Sequence, residues 1–195
     1  MGAVRAHLAR VTAEIHESLH GAAPFARIAQ GTISRDGYGR LLAMLHRYHG
    51  GMAGLCAAGA HALGASVLAR AHQARIVRLE EDLAFLGVAP MAVQPEPARD
   101  AGFSIGCLYT VLGSTLGGKV IARQLENLLP DGQGRRFFIG GPDDAAHWRL
   151  FCDRLEACAH APAALQAGAC HAFDRFAALL ESPSSKAPRP TAAAI

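Results

Sequence analysis

The sequence predicts an all-α fold in a single domain, and three observations carry that reading. The chain holds 40 alanines and few β-branched residues, which favours helix over strand. Its apolar residues recur at spacings of three and four. Its Gly and Pro clusters cut it into segments of helical length. At 195 residues one domain is the expectation, and 51% apolar against 18% charged residues suffices for a sizeable core.

The first helix is expected from about Ala3 to His20, because Val4, Leu8, Val11, Ile15 and Leu19 fall within about 80° of arc. Thr12 and His16 lie on one flank of that stripe, so His16 sits at the edge of the core. After the break from Gly21 to Pro24 a short segment ends at Gly31. Ser34 then caps a helix carrying Tyr38, Leu41, Leu42, Leu45, Met52 and Leu55. A third long helix carries Val67, Leu68, Ala71, Ile76, Leu79, Leu83 and Leu86, closed by Gly87 and Pro90. Three prolines make Val88 to Arg99 a loop. A fourth helix is expected from about Asp100 to Leu129, stopped by Pro130-Asp-Gly. A fifth starts at Asp143 with Trp148, Phe151 and Leu155 inward, and a sixth starts at Pro162 with Leu165, Phe173, Phe176 and Leu180. The helical domain spans residues 1–181, and the Pro/Ser/Ala-rich stretch 182–195 reads as a flexible tail.

Composition excludes several classes. Nineteen Lys+Arg against sixteen Asp+Glu, with no basic run, gives no footprint for nucleic acid. Five cysteines without a CxxC spacing point to buried thiols in a reducing cytoplasm. No uninterrupted apolar run reaches the roughly 18 residues of a membrane span, so no membrane partner is expected. Ten histidines are in surplus, but the chain has a single Glu-x-x-His, Glu17 to His20, where a carboxylate-caged iron pair needs two, which disfavours such a site.

The fourth helix is the informative one. Ile105, Leu108, Tyr109, Leu112, Leu116 and Val120 form an apolar face, and Gly102, Gly106, Gly113 and Gly117 share a neighbouring stripe about 60° wide. Each glycine costs about 0.5–1 kcal/mol relative to Ala in a helix, so something gains from bare backbone there. Either a neighbouring helix packs tightly on the stripe, or a flat ligand lies on it. The apolar phase is lost after Val120, and a straight helix of this length would reach about 45 Å, so a kink is expected at Gly117-Gly118.

The segment from Gly106 through Tyr109 and Leu112-Gly113-Ser114-Thr115-Leu116-Gly117-Gly118 resembles the distal-helix signature of heme oxygenases, particularly the bacterial biliverdin-producing type. Leu8-x-x-x-Thr12-x-x-x-His16-x-x-Leu19 resembles the proximal helix of that family, and Trp148-x-x-Phe151 and Ala172-Phe173-x-x-Phe176 resemble downstream positions. The likeness spans about residues 5 to 181. It implies heme held between the first helix and a kinked distal helix, with His16 as the iron ligand. Gly113, Ser114 and Gly117 would form the catalytic distal face, and Thr12, Tyr109 and Gly118 would join them in binding heme. Arg10 and Arg175, with Lys119 and Arg123, are the candidates for the heme propionates. The implied reaction takes heme as substrate and cofactor and, with O2 and reducing equivalents from a ferredoxin or flavin reductase, releases biliverdin, CO and iron. A bilin-using phytochrome is the implied consumer.

The chain departs from the family at three places. Ser114 stands where some relatives carry aspartate, Ala9 where a basic residue often follows the leucine, and Tyr48-His-Gly-Gly-Met52 lacks an expected acidic residue. The Ser114 and Ala9 departures leave open a non-catalytic heme carrier or sensor on the same fold. A third reading is a helical module whose glycines only pack helices.

Overall fold

The computed structural model describes residues 2–181, so the stretch 182–195 lies outside the described residues. Among the described residues the chain forms helices and no strands: α1 Ala3–Val11, α2 Ala13–His20, α3 Ala23–Ala29, α4 Arg35–Ala62, α5 Val67–Leu86, α6 Ala101–Gly113, α7 Thr115–Gln124, α8 Arg136–Ile139, α9 Asp144–Ala157 and α10 Pro162–Glu181. The expected boundaries hold where a cap marks them. Ser34 Oγ accepts the Gly37 N–H at 3.1 Å, Asp100 Oδ1 accepts that of Phe103 at 3.0 Å, and Gly87 ends α5 at φ +70°.

The fold is built around α6, which packs on α10 and α4, with α4 in turn on α5. One core cluster gathers Leu8, Leu55, Leu68, Ile105, Leu108, Phe151 and Leu165 from α1, α4, α5, α6, α9 and α10. A second lies towards the other end of α4 and α5 and holds Tyr38, Leu41, Leu42, Leu79, Leu83, Leu125 and Phe137. The α6–α10 contact is a glycine contact. A methyl group at Gly106 would collide with the Leu165 carbonyl, and one at Gly168 with that of Phe103. Gly102 likewise faces Ala164, at 2.8 Å from an added Cβ. For these residues the helix-packing reading of the glycine stripe is the right one.

Four expectations are corrected. The first helix is two, because buried Thr12 turns its hydroxyl back onto the Leu8 carbonyl at 2.8 Å and takes φ −103°, ψ 1°. The distal run breaks at Ser114, not at Gly117-Gly118, for reasons given below. It also ends at Gln124, not Leu129: the buried Arg135 collects the Ala122, Leu129 and Pro130 carbonyls at 2.6, 2.8 and 3.2 Å and so holds the exit turn. Finally, α8 was not foreseen, since four residues are too short to show a period. Its first N–H groups are capped from α5 by Asp82, which accepts Arg136 N and Phe137 N at 2.9 Å each.

Ala101–Gln124 also amends the reading of the membrane question. By length and composition this run is apolar enough to cross a bilayer, with a mean hydropathy of 1.3 over its richest 18 residues, but half of that window is buried inside the fold. Its apolar character matches its place as the central helix between α4 and α10.

Candidate functional site

His16, the expected proximal residue, stands on a helix that the core barely holds. No residue of α2 is buried. The helix rests on α10 and α3, and α3 touches α7. His16 is exposed, with its ring 6.0 Å from Phe173 of α10 and 4.8 Å from His20. Partial burial, then the neighbouring His20, holds its imidazole below the ordinary value, while Glu17 pulls the other way. It is therefore neutral near pH 7, the form whose ring nitrogen can bind a metal.

The expected distal residues lie at the α6–α7 break. Ser114 Oγ donates to the Val111 carbonyl at 2.8 Å and Thr115 Oγ1 to that of Leu112 at 2.7 Å, two back-bonds that bend the helix at successive residues. Beyond the break the stripe changes character. Gly117 has no atom within 4 Å of an added Cβ, and Gly113 meets only the Trp148 ring, at 3.5 Å. Leu116 and Val120, expected in the core, are instead 58% and 55% exposed. The outer side of α7 thus offers bare backbone between apolar side chains, a surface suited to a flat apolar molecule. Gly118 is different: an added Cβ would lie 2.8 Å from the Phe138 carbonyl, so its missing side chain serves the α7–α8 contact.

Behind the break lies a polar cluster that the sequence reading passed over. Arg75 of α5 is 3% exposed, donates to the Val111 carbonyl at 2.5 Å and to Ser114 Oγ at 3.0 Å, and lies over the Phe137 ring at 4.7 Å. Burial pulls its pKa down to about 10, with Asp144 acting against the shift, so it remains a cation at neutral pH. One turn back, His72 Nε2 and His49 Nδ1 share a hydrogen bond of 3.1 Å. Burial, followed by the Arg75 charge, lowers His72 to about 3 and His49 well below its ordinary value, so the pair is neutral. The available signal was positional. His72 and Arg75 share the inner face of α5 with Leu68, Ile76 and Leu79, where a charged residue is unusual.

The remaining candidates are placed as follows. The Thr12 hydroxyl is buried and engaged with Leu8. Tyr109 packs against Trp148 and Phe151, ring centroids 5.8 and 6.4 Å away, next to Gly113 on the α9 side of α6. Arg10 is exposed and meets His7 Nδ1 at 3.1 Å. Arg175 donates through Nε to Glu96 at 2.6 Å, and Glu96 also meets His171 at 3.0 Å. Glu96 belongs to the loop that crosses α4 at Gly50 and Gly51, where added Cβ atoms would meet Val93 and the Gln94 carbonyl at 2.8 and 2.9 Å. The two glycines of the Tyr48–Met52 segment are thereby explained.

No family model matches the sequence. A heme oxygenase from Xanthomonas campestris pv. campestris is 34% identical over 130 residues, covering 66% of this chain and 78% of that protein. The fold superposes on heme oxygenase-1 from the cyanobacterium Synechocystis, solved in complex with heme, with a TM-score of 0.69 at 17% identity over 91% of this chain and 89% of the other. It also superposes on the heme oxygenase of Neisseria meningitidis, solved with NO and CO bound, with a TM-score of 0.68 at 24% identity over 96% and 98%.

Proposed function

The chain belongs to the heme oxygenase family, and from that premise we propose that it opens the heme macrocycle to biliverdin, CO and free iron, consuming O2 and reducing equivalents. The observation that carries the reading is that one fold presents both an exposed, neutral histidine on α2 and a bare glycine position on α7. The residues fit the group. A neutral imidazole is a suitable axial ligand, and Gly113 and Gly117 present no side chain where a porphyrin face would lie. When bound, heme would supply both the oxygen-activating iron and the carbon skeleton that is oxidised.

The chain's own residues have distinct tasks. His16 would bind iron, with the edge of Phe173 restricting its ring. Leu116 and Val120 would cover the apolar rim of the macrocycle and keep bulk water from it. Ser114 gives its one proton to Val111 and accepts from Arg75, which leaves it a single lone pair. It therefore acts towards the site as an acceptor that orients a water, and that water would carry the proton the reaction needs beside the glycines. Arg10 and Arg175 remain the proposed propionate contacts. The electron donor would be a ferredoxin or flavin reductase, the compartment the cytoplasm, and a phytochrome would take the bilin.

The test is direct. Purified protein receives hemin, the Soret band is titrated, and ascorbate or ferredoxin with its reductase is added under air. A stoichiometric Soret band followed by biliverdin absorption is expected. Binding without any bilin product would replace catalysis by carriage, and absence of binding would sink the heme reading altogether.

A further inference from the structure

We infer that Arg75 is a positioning residue: it fixes the α6–α7 break from outside the helix, by holding the Val111 carbonyl and the Ser114 hydroxyl on one guanidinium, and so keeps Gly117 facing outward. A broken helix leaves carbonyls at the end of its first segment in need of donors. Around the break Thr110 O takes the Ser114 N–H at 3.2 Å and Leu112 O takes the Thr115 hydroxyl. Val111 O takes the Ser114 hydroxyl and Arg75, at 2.8 and 2.5 Å. Arg75 thus reaches, from α5, both the carbonyl and the hydroxyl that define the bend. A planar fork can serve two acceptors in fixed geometry, which a lysine cannot.

The arginine is also there at a cost. Among the described residues no carboxylate pairs with it within 4 Å; the Phe137 ring and the two acceptors meet its charge directly, and Asp144 acts on it only from farther away. An unpaired interior charge is unfavourable, and an apolar side chain would fill the same space with less penalty. The charge is retained for what it holds. The side of the break that it fixes is the one on which Gly117 lacks neighbours and Gly113 meets only the Trp148 ring. The consequence for ligand binding rests on the heme reading above; the clamp itself does not.

The experiment compares Arg75→Lys, Arg75→Gln and Ser114→Ala with the full wild-type chain, first without ligand, by amide hydrogen exchange. Arg75→Gln should raise exchange at residues 114–118 about tenfold, while core amides of α4 and α10 change less than about threefold. Arg75→Lys should fall between, Ser114→Ala should give a smaller local rise, and the Arg75→Gln, Ser114→Ala pair should exchange no faster than Arg75→Gln alone. Hemin affinity of Arg75→Gln should then drop about tenfold with an unchanged Soret position, because His16, the proposed axial ligand, lies on α2 and makes no contact with Arg75. A rise spread evenly over all helices, or none at 114–118, would overturn the clamp. If Arg75→Gln fails to fold, wild-type exchange in both Ser114→Ala and Arg75→Lys would overturn it equally. Failure of the wild type to bind hemin would sink the heme reading and leave the exchange result standing.

Discussion

His16 and Phe173 meet edge to face, with ring centroids 6.0 Å apart and planes at 85°. This contact restrains the imidazole from α10, although α2 buries no residue of its own. Deleting the ring should therefore cost little stability and much ligation. His16→Ala is expected to lower the unfolding free energy from urea titration by no more than about 0.5 kcal/mol, yet to abolish the native axial spectrum of the hemin complex. His20→Ala should leave that spectrum intact. An unchanged Soret band in His16→Ala would show that another histidine is the ligand.

Gly106 and Gly117 should respond to the same substitution with opposite signs. A methyl at Gly106 meets the Leu165 backbone, which cannot move away as a flexible side chain would. Gly106→Ala should destabilise by about 3 kcal/mol or fail to fold. A methyl at Gly117 meets nothing, and alanine is the better helix former, so Gly117→Ala should stabilise the free protein by about 0.5–1 kcal/mol. The larger Gly117→Leu should block the proposed ligand face. Thermal melts and hemin titrations of these variants check both halves, and full turnover by Gly117→Leu would remove Gly117 from the site.

These two glycines also show how far the sequence could be read. Helices with a one-sided apolar period and a chemical cap, such as α4 after Ser34 and α5 before Gly87, were legible because both signals are local. The glycine stripe was visible, but which of its glycines pack a helix was not, since only the partner helix α10 tells Gly106 from Gly117. The break was misplaced because propensity alone favours Gly117-Gly118 as the weak point. Its actual position depends on hydroxyl back-bonds at Ser114 and Thr115 and on a guanidinium 39 residues earlier in the chain. The expectation for His16 rests on a motif, and Glu96 was not legible at all, because its partners His171 and Arg175 are remote in sequence.

Stability should fall as the solution is acidified below the ordinary histidine range. His49 and His72 have folded pKa values depressed from 6.5, the latter to about 3, with burial as the leading cause. Below about pH 6.5 the unfolded chain therefore binds protons that the folded chain refuses. Their contribution is complete above that value and is lost progressively as pH falls towards the folded pKa. Asp82, whose carboxyl is raised above its ordinary 3.8 by burial, acts in the opposite sense at the acid end. Urea midpoints from pH 7.5 to 4.5 should decline, and replacing both histidines with glutamine should roughly halve the slope. A slope unchanged in that double variant would mean that other groups carry the acid sensitivity.

Glu96 separates two roles of Arg175. Its carboxylate, with a side chain only 10% exposed, accepts from Arg175 and His171 of α10, while its own N–H donates to Gly51 of α4 at 3.0 Å. Glu96→Gln removes the charge that holds α10 to this loop and should destabilise by about 1–3 kcal/mol. It leaves the Arg175 cation in place and removes the opposing charge beside it, so hemin affinity should hold or rise if that residue reaches a propionate. Arg175→Ala should lose both, with a smaller stability loss of about 1 kcal/mol because the side chain is 44% exposed. Hemin titration at two salt concentrations decides the matter, since a propionate contact weakens with ionic strength. Wild-type affinity in Arg175→Ala at low salt would restrict Arg175 to its structural bond with Glu96.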